Sequence, residues 1–86
     1  MEVKKEFVLR NIAGDFVLVP LGKTAAEFNG IFPLTETAAR IFELLPEAKD
    51  ENDIVSRIYD EFDCDLDTIK GDVSQFLNKL REYGII

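Results

Sequence analysis

The chain contains no histidine and only one cysteine, Cys64, among its 86 residues. Histidine is the commonest general base at neutral pH, a frequent metal ligand and the usual activator of serine and cysteine nucleophiles. One cysteine cannot form an intramolecular disulfide or a thiolate zinc cluster. We therefore expect a protein that is not an enzyme and that needs no cofactor or metal.

Long hydrophobic runs are also missing. No apolar stretch approaches the roughly 20 residues that span a bilayer, and the segment from Met1 to Glu6 lacks the apolar core of a signal peptide. We expect a cytoplasmic protein with no membrane contact. Hydrophobic residues make up 47% of the chain, which favours one small folded domain over residues 1–86.

Basic charge is scarce in the second part of the chain. Residues 1–34 carry four basic and four acidic residues, whereas residues 35–86 carry 6 basic and 13 acidic ones and hold the whole net charge of −7. Such a surface repels phosphate groups and tolerates basic partners.

The first residues predict a β-hairpin. The segments 7–12 and 15–20 are rich in β-forming residues, and Ala13-Gly14 between them suits a tight turn. Pro20 has no N–H to donate and should end its strand. We expect a short third strand over roughly residues 25–32, with Asn29-Gly30 as a bulge or turn within it.

Three amphipathic helices are predicted after this sheet. Thr35 can cap a helix over about 35–45 that Pro46 stops, Asp50 can cap a second, and Asp65 a third with an apolar stripe at Ile69, Val73, Phe76, Leu77 and Leu80. Gly84 is placed for a left-handed stop, with Ile85 packing back on Leu80. The expected fold class is α+β, winged-helix-like: a three-stranded antiparallel sheet followed by three helices.

The sequence contains no motif typical of a catalytic site or of a phosphate-binding loop. Asp63, Asp65 and Asp67 resemble the start of a calcium loop, but Thr68 and Ser74 stand where glycine and glutamate are needed.

The winged-helix order of the elements raises DNA binding as an alternative function. The third predicted helix has a net charge of −1 over residues 65–82, which suits phosphate contacts poorly, so we expect no nucleic-acid partner.

An exposed strand edge carries the main functional hypothesis. In residues 25–31 only Glu27 is charged and there is no proline, so little would protect an edge strand there. A peptide could add to it as a further strand. Another copy of the chain could pair with the same edge, which leaves a homodimer as an alternative.

Several segments resemble the coenzyme PQQ synthesis protein D family, the peptide recognition element of ribosomally made, modified peptides. The resemblance runs from about Lys5 to Ile86. The segments that carry it are Leu18-Val19-Pro20-Leu21, Phe28-Asn29-Gly30, Leu34-Thr35-Glu36-Thr37-Ala38, Phe42-Glu43-Leu44-Leu45, and the spaced residues Asp72-Val73, Phe76-Leu77, Leu80 and Gly84-Ile85.

This resemblance implies a non-catalytic module that holds the leader of a precursor peptide and presents it to a modifying enzyme, often a radical SAM enzyme. The peptide would lie along the third strand and against the last helix. On this chain the implied peptide-binding residues are Glu27, Phe28, Asn29, Gly30, Ile31, Ile69, Asp72, Val73 and Phe76.

Overall fold

The computed structural model describes residues 1–28 and 30–86, and within them the chain forms an antiparallel sheet covered by helices. The strands are β1 (Phe7–Ile12), β2 (Asp15–Pro20) and β3 (Phe32–Leu34), in the order β1-β2-β3. The helices are α1 (Lys23–Glu27), α2 (Glu36–Leu44), α3 (Glu51–Glu61) and α4 (Leu66–Glu82). The predicted α+β class and the antiparallel three-stranded sheet are confirmed.

The β1–β2 hairpin follows the predicted bounds and turns through Ala13-Gly14. Ala13 has φ 52° and Gly14 has φ 91°, the left-handed pair that matches the twist of a two-residue hairpin. The Asn11 side chain accepts a 3.0 Å hydrogen bond from the Gly14 N–H. Register runs from Ile12 opposite Asp15 to Phe7 opposite Pro20, so Pro20 ends its strand as expected.

The predicted third strand over residues 25–32 is wrong. Residues 23–27 form the one-turn helix α1, and the third strand is the shorter β3, which begins at Phe32. Alanine is the strongest helix former, and Ala25-Ala26 lie in the middle of α1. The buried Thr24 hydroxyl accepts a 3.0 Å hydrogen bond from the Glu6 N–H, which fixes this turn against the segment before β1. The predicted turn at Asn29 lies outside the described residues.

The three longer helices begin at the predicted caps. The side chains of Thr35, Asp50 and Asp65 accept hydrogen bonds from the backbone N–H groups of Ala38, Asp53 and Thr68 at 3.1, 2.9 and 2.6 Å. Each bond satisfies an N–H that has no partner within its helix. The cap at Asp65 accounts for one acid of the calcium-like run.

The end of α4 is a Schellman motif, as the position of Gly84 predicts. Gly84 has φ 72°, its N–H bonds to the Arg81 carbonyl at 3.0 Å, and the Ile85 N–H bonds to the Leu80 carbonyl at 2.8 Å. Ile85 is 1% exposed and joins the core. Its carbonyl also accepts from the Lys4 N–H at 2.6 Å, which ties the chain ahead of β1 to the end of α4.

The core lies between α2, α3 and α4, and the sheet closes one side of it. Its fully buried large side chains are Leu18, Ile41, Leu45, Ile54, Ile58, Ile69, Val73, Leu77 and Ile85. Among the described residues, no helix is long and apolar enough to cross a membrane.

Candidate functional site

A groove of about 560 Å³ lies between β3 and α4, with the first half of α2 forming its third wall. From β3 the groove is lined by Phe32, Pro33 and Leu34, and from α2 by Thr37, Ala38 and Ile41. Because α2 follows β3 after only Thr35, these two walls are fixed relative to one another by a single capped turn.

The α4 wall is a continuous helical face. Its lining residues are Asp72, Gln75, Phe76, Lys79, Leu80 and Tyr83, spaced alternately three residues and one residue apart. That spacing places side chains along one side of a helix. Leu80 is buried, Phe76 is half-buried, and Asp72, Gln75 and Lys79 are exposed. The helix therefore presents an apolar strip with polar side chains along it.

An aromatic cluster closes one end of the groove. Phe32 lies 5.4 Å from Tyr83, 5.6 Å from Phe28 and 5.8 Å from Phe7, measured between ring centroids. The rings meet tilted or edge to face, the arrangement that the aromatic quadrupole favours. Lys5 lies over the Phe28 ring at 5.6 Å and pairs with Glu27. Together these contacts hold the start of β3 against the last turn of α4.

The outer edge of β3 offers few hydrogen-bonding groups. In a two-residue hairpin the closing pair, here Ile12 and Asp15, is hydrogen-bonded, and pairs then alternate along the ladder. Val17 therefore directs its N–H and C=O to Arg10 on β1. Pro33 lies opposite Val17 on β3. Because Val17 bonds to β1, the Pro33 carbonyl points away from β2, to the open edge. The expectation of an edge without proline is wrong, because the edge strand lies further along the chain.

The structure divides the predicted peptide-binding residues into three groups. Asp72 and Phe76 line the groove. Ile69 and Val73 are 2% and 0% exposed and belong to the core. The remaining predicted residues come before β3: Glu27 ends α1, and Phe28, Gly30 and Ile31 lie in the connection that follows, while Asn29 is outside the described residues.

Sequence reasoning missed most of the β3 and α2 walls. Pro33 gives no strand signal in the sequence, because proline disfavours a strand interior, although it is accepted at an edge. Thr37 and Ala38 looked like the ordinary first turn of a helix. On α4, Gln75 and Lys79 are polar and fell outside the apolar stripe, although they follow Asp72 and Phe76 at helical spacing.

A second cavity of about 430 Å³ lies on the other side of α2 and is mainly charged. There the Arg40 guanidinium donates to both carboxylate oxygens of Glu61, with the shortest bonds at 2.7 and 2.8 Å. These hydrogen bonds lower the pKa of Glu61 from its ordinary value of 4.5. The pair joins α2 to the end of α3. Within the described part of the chain, no group of three or more His, Cys, Asp or Glu side chains could hold a metal ion.

Comparison with known proteins points to one family. The family model for coenzyme PQQ synthesis protein D (PqqD) matches residues 15–86. The solved structure of TbiB1 in complex with the TbiA(beta) leader peptide is similar, with a TM-score of 0.70 and 28% sequence identity over 99% of this chain and 93% of that one. No curated protein matches the sequence. The matched segment includes the whole groove, from the β2 residue Leu18 to Ile85, and the chain belongs to the PqqD family.

Proposed function

We propose that this protein binds the leader segment of a precursor peptide in the groove between β3 and α4 and presents it to a modifying enzyme. The observation that carries the proposal is the groove itself, which has an open strand edge on one wall and an apolar helix face on the other. An extended peptide can use both walls at once, since its backbone faces the strand while alternate side chains enter the groove.

Family membership and the similar structure support this function. TbiB1, whose fold covers 99% of this chain, was solved with a leader peptide bound. A modifying enzyme is the partner that such a peptide needs, since the groove-lining residues that the structure describes include no serine, cysteine or histidine to act as a nucleophile with its activating base. A radical SAM enzyme is the partner class that the family resemblance suggests.

The edge alone cannot supply useful affinity. Pro33 offers only a carbonyl, and the alternation makes Ile31 and Thr35 the flanking residues whose N–H groups point outward. About four backbone hydrogen bonds at roughly 0.5–1.5 kcal/mol each give about 2–6 kcal/mol, whereas micromolar binding needs about 8. Association also costs translational and rotational freedom. The apolar walls must therefore provide the rest, and the partly exposed side chains of Phe76 and Ala38 should determine which peptide binds.

Groove-filling variants test the proposal. Ala38→Phe places a ring in the groove, whereas Ala26→Phe adds the same ring to the exposed face of α1, outside the lining residues. The probe is a fluorescently labelled synthetic leader, taken from short reading frames encoded beside this protein's gene, and binding is followed by anisotropy and by backbone amide shifts.

We expect the wild type and Ala26→Phe to bind alike and Ala38→Phe to bind at least tenfold more weakly. Amide shifts should concentrate on residues 31–38 and 72–85. A peptide that binds Ala38→Phe as well as wild type, or that shifts amides only in α3 and the β1–β2 hairpin, would contradict the proposal.

A further inference from the structure

The groove carries two charged lining residues among those described, and they have opposite signs. Asp72 and Lys79 both belong to α4 and are both exposed. Neither has an ion-pair partner within 4.0 Å in the described part of the chain, whereas Arg40, Arg57 and Arg81 all do. The described lining of the groove thus presents one acid and one base that are available to a ligand.

The two charges lie at different depths along the groove. Seven residues of helix at about 1.5 Å each separate Asp72 from Lys79 by roughly 10 Å along the axis. Lys79 is one turn from Tyr83, whose ring lies 5.4 Å from Phe32 at the start of β3. The Lys79 end of the groove is therefore the Phe32 end. At the other end of β3, Leu34 pairs with Phe16, and Phe16 lines the second cavity together with Phe62 and Asp63, just ahead of α4. β3 therefore runs from the Lys79 end toward the Asp72 end.

This geometry gives the bound strand a direction. Antiparallel pairing is slightly more stable per residue than parallel pairing, and a peptide antiparallel to β3 enters beside Asp72 and leaves beside Lys79. Side chains on the α4 side of an extended peptide recur about every 6.7 Å. Peptide residues two positions apart are closer together than the roughly 10 Å between Asp72 and Lys79, and residues four positions apart are further apart. Flexible charged side chains can make up the difference in either case.

We propose that the groove selects peptides in which a basic residue precedes an acidic residue by two or four positions, the basic one facing Asp72 and the acidic one facing Lys79. The inference rests on the proposed function and adds the charge order of the ligand. Each pair is exposed, so the expected effect is modest: about 3- to 10-fold in affinity for both pairs together.

A charge exchange tests this order without changing the net charge. The double variant Asp72→Lys/Lys79→Glu reverses the two groove charges. The control Lys70→Glu/Glu82→Lys reverses two charges on the same helix that do not line the groove. Thermal unfolding must first show that both variants fold, because Lys79→Glu also removes a favourable base from the last turn of α4.

The probe is a displayed library of twelve-residue peptides in which every position is drawn from Val, Leu, Lys, Glu and Ser, so that apolar and charged side chains can share the face toward α4. Selection on the wild type and on the control should enrich peptides with Lys before Glu. Selection on the exchanged variant should enrich the reverse order. General enrichment of Lys by an acidic protein leaves the order random, so order, not composition, is the readout.

Selected peptides are then resynthesised beside twins in which Lys and Glu are exchanged, and affinities and amide shifts are measured. A 3- to 10-fold preference that reverses in the exchanged variant supports the inference. Peptides that shift residues 31–35 and α4 but show no charge order, or the same order on both proteins, overturn it while the proposed function stands. If no library peptide shifts those amides, the proposed function fails as well.

Discussion

Val73 and Phe76 provide a matched pair that separates peptide binding from stability. Both lie on α4, and the sequence predicts both as peptide-binding residues. Val73 is 0% exposed in the core, whereas Phe76 is half-buried and lines the groove. Replacing each with alanine should therefore cost similar stability, but only Phe76→Ala should weaken peptide binding strongly.

The stability costs can be worked out from burial. Val73→Ala removes two buried methyl groups at about 0.8 kcal/mol each and leaves a cavity, for a total of about 2–3 kcal/mol. Phe76→Ala should cost about half of the 3–5 kcal/mol typical of a fully buried phenylalanine, or about 2 kcal/mol. A domain of this size has about 4–13 kcal/mol in total, so both variants should remain mostly folded.

The effects on binding should differ much more. A groove-wall aromatic that contacts the peptide is expected to contribute at least about 2 kcal/mol, so Phe76→Ala should weaken binding about 30-fold. Val73→Ala should change affinity less than twofold. Urea unfolding followed by circular dichroism gives the stabilities, and anisotropy with a groove-binding peptide gives the affinities. Equal loss of binding in both variants, or unchanged binding in Phe76→Ala, would refute the placement of the peptide.

Three further substitutions test the local structure that supports the groove. Ala13→Gly should raise stability by about 0.5 kcal/mol in urea unfolding, because it relieves the left-handed φ of 52° at the hairpin turn; a loss would show that the turn has another geometry. Gly84→Ala should lower stability by about 1 kcal/mol, and the melting temperature by about 4–8 °C, since φ is 72° there; no change would argue against the Schellman ending of α4. Arg40 lowers the pKa of Glu61, so this carboxylate stabilises the fold above its ordinary value of 4.5 and loses that contribution as the pH falls through the lowered value. Glu61→Gln should therefore show a shallower loss of stability below about pH 4.5 than wild type, and parallel acid-unfolding curves would contradict the Arg40 contact.

Local signals were sufficient for the elements with strong periodicity and caps. Thr35, Asp50 and Asp65 cap helices where the sequence predicts it. A side-chain oxygen just before an amphipathic run can accept a hydrogen bond from a first-turn N–H, which has no partner within the helix. Gly14 and Gly84 were also predictable, since each has a positive φ that favours glycine.

The third strand could not be predicted, because its position depends on tertiary contacts. The sequence interpretation treated residues 25–32 as one extended piece, but the Thr24 hydroxyl binds the Glu6 backbone and Phe28 packs into a ring cluster that includes Tyr83. Those partners are up to 55 residues away along the chain. A strand of three residues that contains Pro33 leaves too weak a pattern to detect.

The same limit applies to the groove. Periodicity placed Ile69, Val73 and Phe76 on one apolar stripe of α4, but it could not tell which of them faces the core. Only the packed structure shows that the groove face is rotated toward Asp72, Gln75 and Lys79. The structure has a groove between the third strand and the last helix, where the resemblance places the peptide; that the peptide binds there stays a prediction.

Hydrogen exchange at the open edge of β3 tests the central claim most directly. A leader peptide that adds to this edge must bond to the outward N–H groups of Ile31 and Thr35, while Pro33 contributes only its carbonyl. The account predicts that exchange at Ile31 and Thr35 slows on saturation with peptide, with nuclear Overhauser contacts from peptide backbone protons to β3. Exchange at Leu9 and Asn11, whose N–H groups point to the open edge of β1, should be unchanged. Slowing at the β1 edge without any at Ile31 or Thr35 would contradict it.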